Sequence, residues 1–84
     1  MNDIKEYSKK IALQIWDYKK QYTIYARSLG LKYGSEALSW DDAHDLFNDT
    51  ITEIINAILD NKKSAYNSER NDSLDWFVKM RILN

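Results

Sequence analysis

The single histidine, His44, sits among Asp41, Asp42 and Asp45. Imidazole beside carboxylates is the material of proton transfer and metal ligation, so this segment is the first place to look for chemistry. A zinc site needs further nitrogen or sulfur ligands, and the chain has no second His and no Cys. Asp41, His44 and Asp45 are spaced as neighbours on a helix surface, whereas acid–base and metal sites draw their groups from several elements. Neither a phosphate-cradling glycine loop nor a nucleophile elbow occurs. The residues therefore predict no enzyme, no cofactor, no metal and no small-molecule substrate.

What the same segment offers is one-signed charge. Between Tyr33 and Asn61 there is no Lys or Arg, while Glu36, Asp41, Asp42, Asp45, Asp49, Glu53 and Asp60 fall there. Asp42, Asp45 and Asp49 recur at helical spacing, with Asn48 and Thr52 beside them. A polar helix face is ordinarily just solvated. Such faces usually mix signs, however, because like charges three and four residues apart repel. A face of one sign makes better sense under a basic partner, where complementary potentials steer association and fix register. The net charge of −1 argues against bulk electrostatic binding of nucleic acid.

The elements that present this face follow from periodicity. Tyr7, Ile11, Ile15, Tyr18, Tyr22, Tyr25 and Leu29 recur at steps of three or four and predict one long helix, or two abutting ones, over 3–29. Gly30 is then placed as a left-handed C-terminal glycine, with a connection over 30–39 that Gly34 also punctuates. Ser39, followed three residues later by Asp42, reads as a capping arrangement opening a second helix. Ala43, Leu46, Phe47, Ile51, Ile54, Ile55, Ile58 and Leu59 form its buried stripe to about Asp60. Residues 61–72 are polar and read as a loop, with a short helical turn around Tyr66. Asp72 or Ser73 caps a last helix, apolar on two sides: Leu74, Phe77, Val78 and Ile82 on one, Trp76, Met80 and Leu83 on the other.

The totals agree with a single domain over 1–84, all-α, of three to four helices. There is no proline, and only two glycines interrupt the helical composition. No apolar run reaches the roughly 18 residues of a membrane span. The first ten residues, MNDIKEYSKK, lack the apolar core of a signal peptide, and with no cysteine the expectation is a cytoplasmic protein without a membrane partner.

The order of residues carries a resemblance. Asp42-Ala43-His44-Asp45-Leu46-Phe47-Asn48-Asp49-Thr50 is similar to the Asp-Ala-Glu-Asp-Leu-Val-Gln-Asp/Glu-Thr/Val run that opens the second conserved region of bacterial sigma factors, above all the small extracytoplasmic-function type. His44 replaces the family's Glu. Tyr66-Asn67-Ser68-Glu69-Arg70-Asn71-Asp72-Ser73 resembles the family's following loop without its Pro and Gly, and Trp76-Phe77-Val78-Lys79-Met80 resembles the Trp-Leu-Phe-Arg-Ile after it. The segment Tyr22–Gly30 also fits the helix that precedes the motif in that family.

The resemblance implies a fold like sigma factor domain 2 and a defined partner. In that family the helix matching 42–59 docks on a coiled coil of the largest subunit of core RNA polymerase. Asp45, Asn48 and Asp49 then become polymerase contacts, with Asp42 and Thr52 at the rim. The loop and last helix of the family read the single-stranded −10 promoter element. By that analogy Tyr66, Arg70, Lys79 and Arg81 are DNA candidates, one aromatic to stack on a base and three cations for phosphate. Trp76 falls where the family buries its own Trp, so a core position is expected for it. The helix-turn-helix domain of a complete sigma factor does not follow. The resemblance thus implies an excised domain, or a stand-alone module of the kind a phage or mobile element carries. Two other readings stay open: an assembly protein that oligomerises through its last helix, and an anti-sigma type regulator.

Overall fold

Helix formation begins at Asp3, where Asp3 and Glu6 place negative charge on the first turn of α1 (Asp3–Asp17). The computed structural model describes residues 3–34, 36–67 and 73–83. Among them are four helices and no strand: α1, α2 (Lys19–Tyr33), α3 (Trp40–Leu59) and α4 (Leu74–Leu83). The chain is an all-α helical bundle. No described helix is long and apolar enough to cross a membrane.

The predicted long helix is two abutting helices broken at Tyr18, whose φ of −112° and ψ of 22° leave the helical well. Its N–H donates to the Ile15 carbonyl at 3.1 Å, tightening the last turn of α1, and its own carbonyl accepts from the Tyr22 N–H at 3.0 Å. The apolar stripe continues across this joint in Ile11, Ile15, Tyr22 and Ala26, all buried. Tyr18 itself is 56% exposed, so its place in the expected stripe is corrected. The longest dimension, 46 Å, is about that of thirty helical residues laid end to end. α1 and α2 therefore form one bent rod, against which α3 packs along both parts.

Gly30 is not a C-terminal cap. It lies inside α2, no glycine has a positive φ, and the connection shortens to 34–39. The glycine is needed for space. A Cβ there would stand 2.5 Å from the Glu36 carbonyl oxygen and 2.7 Å from the Leu38 nitrogen. The returning backbone lies directly on the helix, and the Leu38 N–H donates to the Arg27 carbonyl at 3.2 Å. The Arg27 Nε–H in turn donates to the Leu38 carbonyl at 2.8 Å, and its guanidinium covers the Trp40 ring at 4.3 Å.

Ser39 caps α3 as expected, its Oγ accepting from the Asp42 N–H at 3.1 Å. The far end closes on a residue the sequence did not single out. Asn61 takes a φ of 53°, its N–H donates to Ile58 O at 3.0 Å, and the Lys62 N–H donates to Ala57 O at 3.0 Å. This is a Schellman closure with Asn in the left-handed position. Turns fall at 60–61 and 63–64, ahead of Tyr66 rather than around it. Ser73 opens α4 by accepting from the Trp76 N–H at 3.0 Å; Asp72 lies outside the described residues.

The core gathers at α3. Phe47, Ile51, Ile54 and Ile58 meet Ile11, Ile15 and Tyr22 on one side and Phe77, Val78 and Ile82 on the other. The Phe47 ring lies edge-on to Trp16 at 5.4 Å and stacks with Tyr22 at 6.1 Å, which places it under the α1–α2 joint. Leu59, expected in the buried stripe, is 42% exposed at the helix end.

Candidate partner-binding face of α3

The nine-residue run 42–50 is divided by the helix into two functions. Ala43 and Phe47 are fully buried, and Thr50 is buried with its hydroxyl donating back to the Leu46 carbonyl at 2.7 Å. These positions hold α3 to the rod. Asp42, Asp45, Asn48 and Asp49 point the other way and are exposed, as is Thr52 one turn on. All five expected polymerase contacts thus share one open side of a well-anchored helix.

The electrostatics of that side are set by what is missing around it. From Trp40 to Leu59 the helix carries Asp41, Asp42, Asp45, Asp49 and Glu53 and no cation. Glu53 pairs with Arg81 at 3.2 Å. Among the described residues, no ion pair joins Asp42, Asp45 or Asp49 to any cation. Asp41/Asp45 and Asp45/Asp49 are like-charged neighbours one turn apart, each costing a few tenths of a kcal/mol (~0.3) in the free helix. The acids at 41 and 42 are offset by the helix N-terminus; those at 45 and 49 lie beyond its first turn.

His44 is half-buried beside the Trp40 ring at 6.2 Å. No group of three His, Asp or Glu positioned for a metal ion occurs among the described residues.

The DNA candidates come out differently. Tyr66 is buried, its ring edge-on to Phe77 at 5.3 Å and its carbonyl accepting from the Tyr7 hydroxyl at 3.4 Å. Its expected role as an open stacking platform is therefore corrected: the ring is a core contact between the post-α3 segment and α4. Arg81 is occupied by Glu53 and donates to the Ser64 carbonyl at 3.0 Å, lacing the same segment down. Lys79 pairs with Asp75 at 3.2 Å and lies over the Tyr25 ring at 5.6 Å. Arg70 lies outside the described residues. Trp76, expected in the core, is 55% exposed, because the buried side of α4 is filled by Phe77, Val78 and Ile82.

Clefts border this architecture on more than one side. One, of about 460 Å³, runs from Asp49 and Glu53 on α3 to Lys62, Ser64 and Arg81. Another, of about 600 Å³, lies between the α1–α2 joint and the start of α4, lined by Gln14, Asp17, Tyr18, Tyr22, Leu74 and Asp75. Burial, and next the facing Asp75 carboxylate, push the Tyr22 phenol well above its ordinary range.

What the sequence reading missed is the apolar surface. Leu13, Trp16, Ile24, Leu31 and Trp40 stand exposed at 42% or more. Each lies off the stripe that builds the core. Large apolar residues left over after the stripe is drawn are the signal that would have found them. Compared with known protein families, curated proteins and solved structures, the chain has no match.

Proposed function

We propose that this chain is a sigma-factor-like module that binds core RNA polymerase through the outward side of α3. Asp45, Asn48 and Asp49 make the central contacts, Asp42 and Thr52 the rim, and the partner is a basic, coiled-coil surface of the largest subunit. One observation carries the reading. Asp42, Asp45 and Asp49 of the sigma-like run are exposed and have no ion pair among the described residues, while its Ala43, Phe47 and Thr50 are buried. Carboxylates so presented make directional, charge-assisted hydrogen bonds to Arg or Lys. Truncating one that becomes desolvated costs on the order of 1–3 kcal/mol of binding. Contact with single-stranded promoter DNA is the second half of the proposal. With Tyr66 and Arg81 engaged internally, it rests on Trp76, Arg70 and Lys79, the last in an exposed pair with Asp75.

The test is a pull-down of bacterial core polymerase by the tagged chain, beside an Asp45→Lys/Asp49→Lys variant. Retention by the parent and loss by the variant, with helicity unchanged, supports the proposal. Absence of binding by the parent, or equal binding by both, overturns it.

A further inference from the structure

Where the rod breaks at Tyr18, the first turn of α4 stands across the joint and a cleft lies between them. Its volume of about 600 Å³ is within the range of about 300–1,000 Å³ usual for small-molecule sites. Tyr22 forms its floor, 3% exposed yet part of the lining. The Leu74 side chain and the Tyr18 ring add apolar wall. Tyr18 is 56% exposed and outside the core, so its ring is open on the cleft side.

The charged groups in the lining are two carboxylates, Asp17 on α1 and Asp75 on α4, and no Lys or Arg is among the described lining residues. The two acids differ. Asp75 opens α4, where the helix dipole favours it, faces the Tyr22 phenol and pairs with Lys79 at 3.2 Å. Asp17 has no ion pair among the described residues. The cleft therefore joins one unpaired carboxylate to two aromatic rings and a leucine.

Those surfaces select the occupant. An anion meets two carboxylates. A neutral apolar body covers Asp17 without satisfying it. A metal ion needs further ligands, and no group of three His, Asp or Glu is placed for one among the described residues. We infer that the cleft binds an organic cation, a primary ammonium carried on an apolar body. The ammonium donates to the Asp17 carboxylate beside the face of Tyr18, and the body lies on Leu74 and the Tyr22 floor. Carboxylate and aromatic face act on the same charge, one by charge-assisted hydrogen bonds and the other through the ring quadrupole. The same head group arrives on a free amine or on the lysine of another protein. None of the cleft residues is a proposed polymerase contact, so the inference does not rest on that reading.

Amide NMR spectra of the isotope-labelled whole chain, titrated with phenethylamine at constant ionic strength, test it. Saturable shifts are expected at Asp17, Tyr18, Tyr22 and Asp75. Asp17→Asn, at an exposed position, weakens binding by about tenfold, and Tyr18→Leu by about threefold, with far-UV circular dichroism unchanged. Phenethyl alcohol, the same body without the charge, gives no saturable shift. A lysine capped as its acetyl methylamide separates the sources: weaker binding than the free amine supports a small-molecule site, and equal or tighter binding supports a lysine side chain. Absence of saturable shifts with any amine overturns the inference. So does amine binding that Asp17→Asn leaves unchanged, or alcohol binding as tight as the amine's.

Discussion

Replacing Gly30 by alanine sets two effects of opposite sign against each other. Inside a helix, alanine is favoured over glycine by about 1 kcal/mol. If Gly30 were a cap or a neutral helical position, that gain or a modest loss would be the outcome. The structure demands a loss. A Cβ at 2.5 Å from Glu36 O and 2.7 Å from Leu38 N meets backbone atoms, which cannot rotate aside. The 36–38 segment must retreat by roughly 1 Å to reach ordinary contact. Retreat opens the Leu38 N–H bond to Arg27 O, now 3.2 Å, and loosens the Arg27 Nε–H bond to Leu38 O, now 2.8 Å. Overpacking of this kind costs about 1–3 kcal/mol, and each hydrogen bond contributes about 1. After the helix-propensity gain the net is about 2 kcal/mol of destabilisation, or about 10 °C in Tm for a domain of this size. Urea and thermal unfolding followed by far-UV circular dichroism measure it directly. Gly34→Ala is the comparison. Its Cβ meets chiefly the Gly30 carbonyl oxygen, at 2.9 Å and at the helix end, so the loss is smaller. A Gly30→Ala chain as stable as the parent, or more so, refutes the packing argument.

Three further outcomes follow from the same contacts. Ser39→Ala removes the acceptor of the Asp42 N–H and lowers stability by about 1 kcal/mol, whereas Ser39→Asp preserves it; equal losses in urea unfolding would deny the cap. Arg81→Ala costs about 1–2 kcal/mol through the Ser64 carbonyl bond and the packing of its stem, while Glu53→Gln costs less than about 0.5 because Glu53 is 68% exposed and screened. The same melts decide, and equal costs would assign the link to the ion pair instead. Because the Tyr22 phenol is raised from 10.0 by burial and then by Asp75, its contribution is whole below the unfolded value and falls as pH rises past about 10. Tyr22→Phe therefore loses less stability between about pH 9 and about pH 11 than the parent does, and parallel declines in urea unfolding at the two values would sink this.

Much of the architecture is written locally. Ser39 and the apolar steps from Ala43 to Ile58 mark α3 without reference to the rest of the chain. The acidic side is legible for the same reason, since a helix of known register leaves Asp42, Asp45 and Asp49 nowhere but outward. The misreadings all concern tertiary context. No Pro or Gly marks the break at Tyr18; it falls where Phe47 packs beneath Trp16 and Tyr22, a contact made from another helix. Gly30 looked like a left-handed cap because it ended a stripe, yet its missing Cβ serves the backbone that returns over it. The true left-handed closure is Asn61, the second-best residue for that conformation and easily passed over in a polar stretch. Tyr66 and Trp76 exchange the expected places. Arg81 and Tyr7 tie the Tyr66 segment inward, and Phe77 already fills the site that Trp76 would need.

α3 packs on all three other helices, with its inward residues in the core and Asp42, Asp45 and Asp49 on its outward side in no ion pair among the described residues. These two sides stand under separate constraints. A change at Phe47 or Ile54 is judged by folding, whereas a change at Asp45 or Asn48 is judged only by whatever the helix meets. Sequence drift can therefore alter the choice of partner in single steps, each leaving a folded protein behind. In a chain of 84 residues with little stability to spare, that separation is what lets recognition be rewritten without first rebuilding the scaffold.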